Sequence, residues 1–311
     1  MLLNMTTVKK KNVRRSFILF LDEQISRLKE ENRLGTVKTY SCARKSFVNF
    51  AGKDIKLSAI NRDLAMDYES WLKKRGVSRN TISFYMRILR SVYNKAVDSG
   101  LVKQCYPFVK VYTGVDRTSK RAVGEDIIMR LKSMDLEPNT PLSYARDLFV
   151  FSFYMRGMAF VDIAYLKKSD KRDNNIQYVR RKTGQMMTLR LEPCMLEIID
   201  KYAPLTKDSE YIFPIITSAN DSIAYNQYKN VLSYYNKLLK QLSDLLDLPC
   251  PLTSYVSRHT WATTARNRNI PISIISAGMG HTSELTTRIY LDSLDASAID
   301  EANHAILQRF I

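Results

Sequence analysis

Apolar residues recur with a helical period over most of this chain, and the breaks in that period set its organisation. Phe17, Leu21, Ile25 and Leu28 line one face of a first helix, and Val37, Tyr40, Phe47 and Phe50 mark a second. A third runs from Asp63-Leu64 to Leu72 and stops at Gly76. A fourth carries Ile82, Tyr85, Leu89, Val92 and Ala96, stops at Gly100 and has Ser78 at its N-cap position. Residues 15–102 therefore read as one helical unit behind a short extension, residues 1–14. The stretch 103–122, KQCYPFVKVYTGVDRTSKRA, has no sustained period and five Lys/Arg, so it reads as an extended basic linker.

A second unit follows over residues 123–291. It opens with helical patterns at Glu125–Met134 and Pro141–Met155 and a short segment at Phe160–Leu166. The run IQYVRRKTGQMMTLRLEP then reads as two strands around Lys182-Thr183-Gly184, because glycine allows the tight turn. Helices are expected at about 193–202, 223–246, 257–268 and 271–278, and Tyr290 ends another short one. Residues 292–311 are expected to form a separate amphipathic helix, with Ile299, Ala302, Ile306 and Phe310 on one face. That face suits packing on its own domain as well as docking into a neighbouring copy. The expected fold is mainly α with a small β-hairpin or sheet.

Charge narrows the picture. The 311 residues have room for two domains, and 45% hydrophobic content is ordinary for a chain that buries a core. A surplus of 48 Lys+Arg over 31 Asp+Glu, net +17, is not ordinary. It favours a polyanion, since each neutralised phosphate releases counterions. No apolar run approaches the roughly 20 residues of a membrane span, which favours nucleic acid over a membrane. Arg79, Arg87, Arg90 and Lys95 on the fourth helix, with Lys120 and Arg121 in the linker, are the DNA-contact candidates. A basic helix face is equally a solvated one. The N-terminus lacks the small-residue cleavage site of a secretory signal. Cys42, Cys105, Cys194 and Cys250 lie far apart without metal-finger spacing, and three histidines leave little for a metal. A reducing cytoplasm and no metal are expected.

The chemistry-bearing residues gather near the C-terminus. Arg258-His259 stands in SYVSRHTW, and His281 precedes Tyr290 by nine residues in GMGHTSELTTRIYL. Attack on a phosphodiester needs a nucleophile, cations around the nonbridging oxygens and an acid for the leaving alkoxide. Arginine is the natural clamp, because its planar fork matches two phosphate oxygens. Arg258 and Arg156 are clamp candidates, Lys182 sits at a hairpin tip, and Tyr290 can serve as nucleophile. Each also has a plainer reading, as a turn lysine, a capping histidine or a helix tyrosine. His259 is expected to be structural.

These boxes resemble the tyrosine recombinase (phage integrase) family over nearly the whole chain. The family's second box, His-x-x-Arg-His, corresponds to Tyr255-Val256-Ser257-Arg258-His259. Its Gly-His about nine residues before the tyrosine corresponds to Gly280-His281 and Tyr290, and its hairpin lysine to Lys182. The resemblance implies a helical, SAM-like core-binding domain at 15–102 and a mixed α/β catalytic domain at 123–291, closing as a clamp on DNA. It also implies a 3′-phosphotyrosyl intermediate, no cofactor, and a homo-tetramer on two double-stranded DNA sites with a possible accessory DNA-bending protein. Only about 15 residues precede the first helix, so a simple two-domain recombinase is expected, without an arm-binding domain.

Two positions depart from the family. Its first box, Thr-Gly-Leu-Arg-x-x-Glu, aligned on Gly157 and Asp162, places Ala159 where the arginine belongs. Arg156 stands three residues earlier, and on a helix i and i+3 share a face, so Arg156 is expected to bring its guanidinium to the same phosphate. The alternative is that it only pairs with an acid such as Asp162, which is itself expected to orient an arginine. Tyr255 replaces the box-two histidine; its phenol can donate a hydrogen bond but is no acid or base near neutrality. These departures leave open a type IB topoisomerase-like enzyme, a DNA-binding regulator with a crippled site, and an architectural protein.

Overall fold

Helices form where the apolar period runs, and they stop where the backbone must turn left-handed or lose its period. The computed structural model describes residues 16–116, 122–291 and 307–308. The N-terminal extension, Lys120 and Arg121, and nearly all of the expected tail helix lie outside the described residues. The chain divides into two units, residues 1–118 and residues 119–311.

Among the described residues the first unit holds four α-helices: α1 (Phe17–Glu30), α2 (Leu34–Ala51), α3 (Arg62–Lys74) and α4 (Arg79–Asp98). Two side-chain caps fix helix starts: Ser16 accepts from the amide of Leu19 at 3.0 Å, and Asn61 from that of Leu64 at 2.9 Å. Ser78 occupies its expected position but makes no capping bond; its hydroxyl meets that of Thr81 at 2.9 Å. Edge-to-face aromatic contacts fill the core, Phe17 on Phe47 at 5.5 Å and Phe47 on Tyr68 at 5.3 Å between ring centres.

The expected linker does not begin at residue 103. Phe108 and Val111 are buried in the core of the helical unit. Helix side chains take up the backbone of this strap: Glu69 accepts from the amide of Tyr112 at 2.9 Å, Ser83 donates to the carbonyl of Gly114 at 2.5 Å, and Tyr93 donates to that of Lys103 at 2.9 Å. A non-periodic segment can fold onto a domain when its two apolar side chains find a groove and polar groups there satisfy its backbone. The end of the basic stretch, 117–121, lies outside the described residues.

In the second unit α5 (Glu125–Lys132) and α6 (Pro141–Tyr154) lead into a short α7 (Phe160–Ala164). Leu148, Phe149, Val150 and Phe151 are all buried, so α6 is a central helix covered on every side. A three-stranded antiparallel sheet follows in the order β1 (Lys171–Arg172), β2 (Asn175–Val179), β3 (Met186–Arg190). Its register pairs Ile176 with Leu189 and Tyr178 with Met187, which puts these four on the buried face. The expected hairpin is present. The extra strand, two exposed basic residues, carries no apolar alternation by which to read it. Helices α8 (Pro193–Tyr202), α9 (Asp221–Leu245), α10 (Val256–Asn267), α11 (Ile272–Met279) and α12 (Glu284–Leu291) complete the described part. No described helix is long and apolar enough to cross a membrane.

Candidate active site

Four backbone devices bring the candidate residues together. The first is the turn after α6. Arg156 (φ 57°) and Gly157 (φ 70°) are both left-handed there, so positions 156 and 159 lie in a turn and do not share a helix face. That removes the helical argument for Arg156 as a substitute at position 159. Arg156 makes no ion pair with Asp162 either. Its side chain runs beside Gly278, whose added Cβ would stand 3.7 Å from Arg156 Cδ. Gly157 is required twice over: a Cβ would need the left-handed conformation, and it would meet Arg258 Cα at 2.6 Å.

The second device is α10, which carries Arg258. Ser257 shares a 2.6 Å hydroxyl contact with Ser152, and Ser152 donates to the carbonyl of Met158, locking α10 onto α6 and its turn. Arg258 is only 3% exposed. It donates to the carbonyls of Gly157 at 2.8 Å and Met279 at 2.5 Å, and its Nη2 lies 3.1 Å from His281 Nε2. Tyr255 stands at the N-cap position of the same helix, 38% exposed, with its ring edge-on to His259 at 5.5 Å. His259 is half-buried beneath it.

The third device is the C-terminus of α11. Gly280, left-handed at φ 63°, ends the helix, with its amide on the carbonyl of Ala277 and that of His281 on the carbonyl of Ser276. This Schellman arrangement throws His281 back across the helix end. An arginine only donates, so His281 Nε2 must accept from Arg258; the ring proton then sits on Nδ1 and goes to the Thr287 hydroxyl at 2.8 Å. Burial, then the positive charges of Arg258, Arg180 and Lys182, hold the His281 pKa down to about 4. His281 is thus a neutral link between Arg258 and Thr287, more than a helix cap. Thr287 is fully buried and lies three residues before Tyr290 on α12. The Tyr290 side chain lies outside the described residues.

The fourth device is the hairpin. The amide of Gly184 donates to the carbonyl of Arg180, and that of Arg180 to the carbonyl of Gln185, both at 2.8 Å. In the run Arg180-Arg181-Lys182 the side chains part. Arg181 lies over the Tyr165 ring at 3.7 Å, Lys182 is exposed at the tip, and Arg180 turns inward to 4% exposure. Its guanidinium donates to the carbonyl of Gly280. Asp162, 3% exposed, accepts from the amide of Arg181 at 2.9 Å, so it fixes the hairpin backbone and not an arginine side chain. Burial pushes its pKa up, against that amide and the charges of Arg180, Arg258 and Arg181.

Sequence reasoning missed Arg180. Its signal was available: in a strand the side chains alternate, and position 180 continues the buried series of Ile176 and Tyr178. The structure gathers Arg258, His281, Arg180 and Lys182 into one electropositive cluster, with Tyr255 and Arg156 on the elements that border it. In the first unit the expected basic face divides. Arg79 stacks on Tyr112 at 4.1 Å and Arg90 reaches Thr113 at 3.3 Å, whereas Lys95 faces the Tyr40 ring at 5.8 Å. Arg87 is exposed between them.

Comparison with known proteins agrees with this geometry. Residues 16–111 match the phage integrase SAM-like domain, and residues 128–297 match the phage integrase family. A putative tyrosine recombinase XerC of Pseudomonas syringae is 30% identical over 107 residues, which is 34% of this chain and 22% of that protein. The fold is shared with the Tn1549 transposon integrase in complex with a circular intermediate DNA (TM-score 0.65, 14% identity, 94% of this chain and 99% of that one). It is shared too with a lambda integrase tetramer bound to a Holliday junction (TM-score 0.63, 14% identity, 90% of this chain and 80% of that one). The family match spans more than half of the chain, and this protein belongs to the phage integrase family of tyrosine recombinases.

Proposed function

We propose that the protein is a site-specific DNA recombinase that cuts and rejoins DNA through a 3′-phosphotyrosyl intermediate. The observation that carries the reading is the part-buried hydrogen-bonded line Arg258–His281–Thr287, which ties a phosphate-binding guanidinium to the helix bearing Tyr290. The Tyr290 phenol oxygen bonds to phosphorus as the bond from phosphorus to the 5′ oxygen breaks. The phenolic proton leaves to solvent, and the 5′ oxygen takes a proton from Lys182 at the hairpin tip. Arg258 stabilises charge on the nonbridging oxygens, and His281, hydrogen-bonded to it, holds that guanidinium in place. Arg156 and Tyr255 are assigned positioning contacts to the DNA backbone. The bond energy stays in the phosphotyrosine, so rejoining by another 5′-hydroxyl needs no nucleotide cofactor.

The first unit is the proposed core-binding domain, with Arg79, Arg87, Arg90, Lys95, Lys120 and Arg121 as DNA contacts. Four protomers on two sites would perform exchange, with the tail helix a candidate for contact between neighbours and an accessory DNA-bending protein optional. DNA inversion and mobile-element integration or excision, inside a bacterial cytoplasm, are the processes this chemistry serves. Covalent capture tests the reading: protein is incubated with sheared DNA of cells that carry its gene, denatured, and the attached DNA sequenced. Discrete 3′-linked sites are expected, absent with Tyr290→Phe. Recovery of no covalent DNA would refute it and leave a DNA-binding regulator. Relaxation of supercoils without strand exchange would point to a topoisomerase.

A further inference from the structure

We infer that Arg180, at the end of β2, supplies the second phosphate-clamping arginine of this site, in place of the arginine missing at Ala159. This rests on the recombinase reading above. The first ground is charge. Arg258 and Arg180 are both buried, Lys182 stands two residues from Arg180, and the one buried carboxylate among them, Asp162, is already bonded to the amide of Arg181. Among the described residues Arg180 has one hydrogen-bond acceptor, the carbonyl of Gly280, and no ion pair. A cation cluster taken out of water without matching anions is costly, and a bound anion offsets that cost. The lowered His281 pKa partly shares this origin, because Arg180 and Arg258 both act on it.

The second ground is shape. Gly280 has no side chain where Arg180 crosses it: an added Cβ would stand 2.9 Å from Arg180 Cδ and 2.6 Å from Met187 Sδ. The hairpin and the end of α11 are thus fitted to bring a guanidinium beside His281. A guanidinium there presents its fork to the phosphate that Arg258 holds, from the hairpin side, whereas the family's first-box arginine would come from the α6 turn. Arg156 has neither feature. It is half-buried beside Gly278 on a left-handed turn, and the charges that act on His281 are Arg258, Arg180 and Lys182. In the step, as the Tyr290 oxygen–phosphorus bond forms and the 5′ oxygen leaves with its electron pair, Arg180 stabilises the negative charge of one nonbridging oxygen.

The test uses a DNA site recovered by covalent capture, nicked beside the scissile position and carrying there either a phosphodiester or a neutral methylphosphonate. Wild-type protein sets the reference rate of adduct formation. Arg180→Ala should slow the phosphodiester about 100-fold, the usual effect of losing one transition-state donor. It should slow the methylphosphonate far less, because the charge the arginine served is gone. The double variant Arg180→Ala, Ala159→Arg should regain part of the phosphodiester rate. If Arg180→Ala melts below the assay temperature, Arg180→Met reads the same ratio, because it fills much of the same volume without the charge. Equal slowing on both substrates would reduce Arg180 to a structural residue and overturn the inference. So would a charge-selective loss in Arg156→Ala with none at Arg180. No adduct with wild-type protein on either substrate would instead bring down the recombinase reading itself.

Discussion

Gly157 and Gly280 shape the site as much as its charged residues do. Each sits where the backbone is left-handed and another element presses on the missing Cβ, Arg258 in one case and Arg180 with Met187 in the other. Gly157→Ala should therefore cost roughly 2–4 kcal/mol, about 1 for the left-handed alanine and the rest for overpacking against α10. Urea unfolding should show it as a lower midpoint at unchanged slope, and an unaltered midpoint would contradict the packing. His281 makes a pH prediction. Its folded pKa, about 4, lies below its ordinary 6.5, so the folded state binds that proton less readily than the unfolded chain. Its contribution to stability is full above about 6.5 and is lost as pH falls through about 4. Melting temperature against pH should fall more steeply across that window in the wild type than in His281→Gln.

Single residues act here through the elements that carry them. Helix α12 is anchored at both ends of its buried face: Thr287 accepts from His281, and Arg266 donates to the carbonyl of Leu291. Thr287→Val keeps the volume but strands the His281 Nδ1–H in a buried setting, at a cost of about 1–3 kcal/mol. Adduct formation should drop together with the melting temperature, while DNA affinity stays near wild type; normal cleavage kinetics would show that the link is dispensable. The hairpin depends on Asp162 in the same way. Asp162→Ala removes the acceptor for the Arg181 amide and should destabilise the fold more than Asp162→Asn, whose carbonyl can still accept. Thermal melts of the two variants would rank them.

Over the whole molecule the strongest influence on binding is the net charge of +17. Affinity for duplex DNA should weaken linearly in a log–log plot against salt, with a slope of about −0.9 per phosphate contacted. Removing Arg87 or Arg90 should each reduce that slope by about 1 if they touch phosphate, read by fluorescence anisotropy. A slope that does not change in either variant would return that face of α4 to solvent.

Local pattern along the chain accounts for the elements and for most of the candidate residues. Helical period placed α8 at 193–202, where Met195, Ile199 and Tyr202 are buried at helical spacing, and put α10 and α11 within a residue of their observed bounds. The order and spacing of Arg258, Gly280-His281 and Tyr290, with the lysine of the hairpin, were legible because each box lies within a few residues of chain. What failed depended on contacts between distant segments. The strap at 103–116 has no period, and only the groove around Phe108 and Val111 makes it part of the helical unit. Arg156 looked like the displaced clamp on the assumption of a helix, which two left-handed residues break. Arg180 was unremarked among the 48 basic residues, and burial beside Gly280, 100 positions along the chain, sets it apart. Periodicity fixes which residues turn inward. Which inward-facing charges share a pocket is settled by folding, since that depends on electrostatics between segments far apart along the chain.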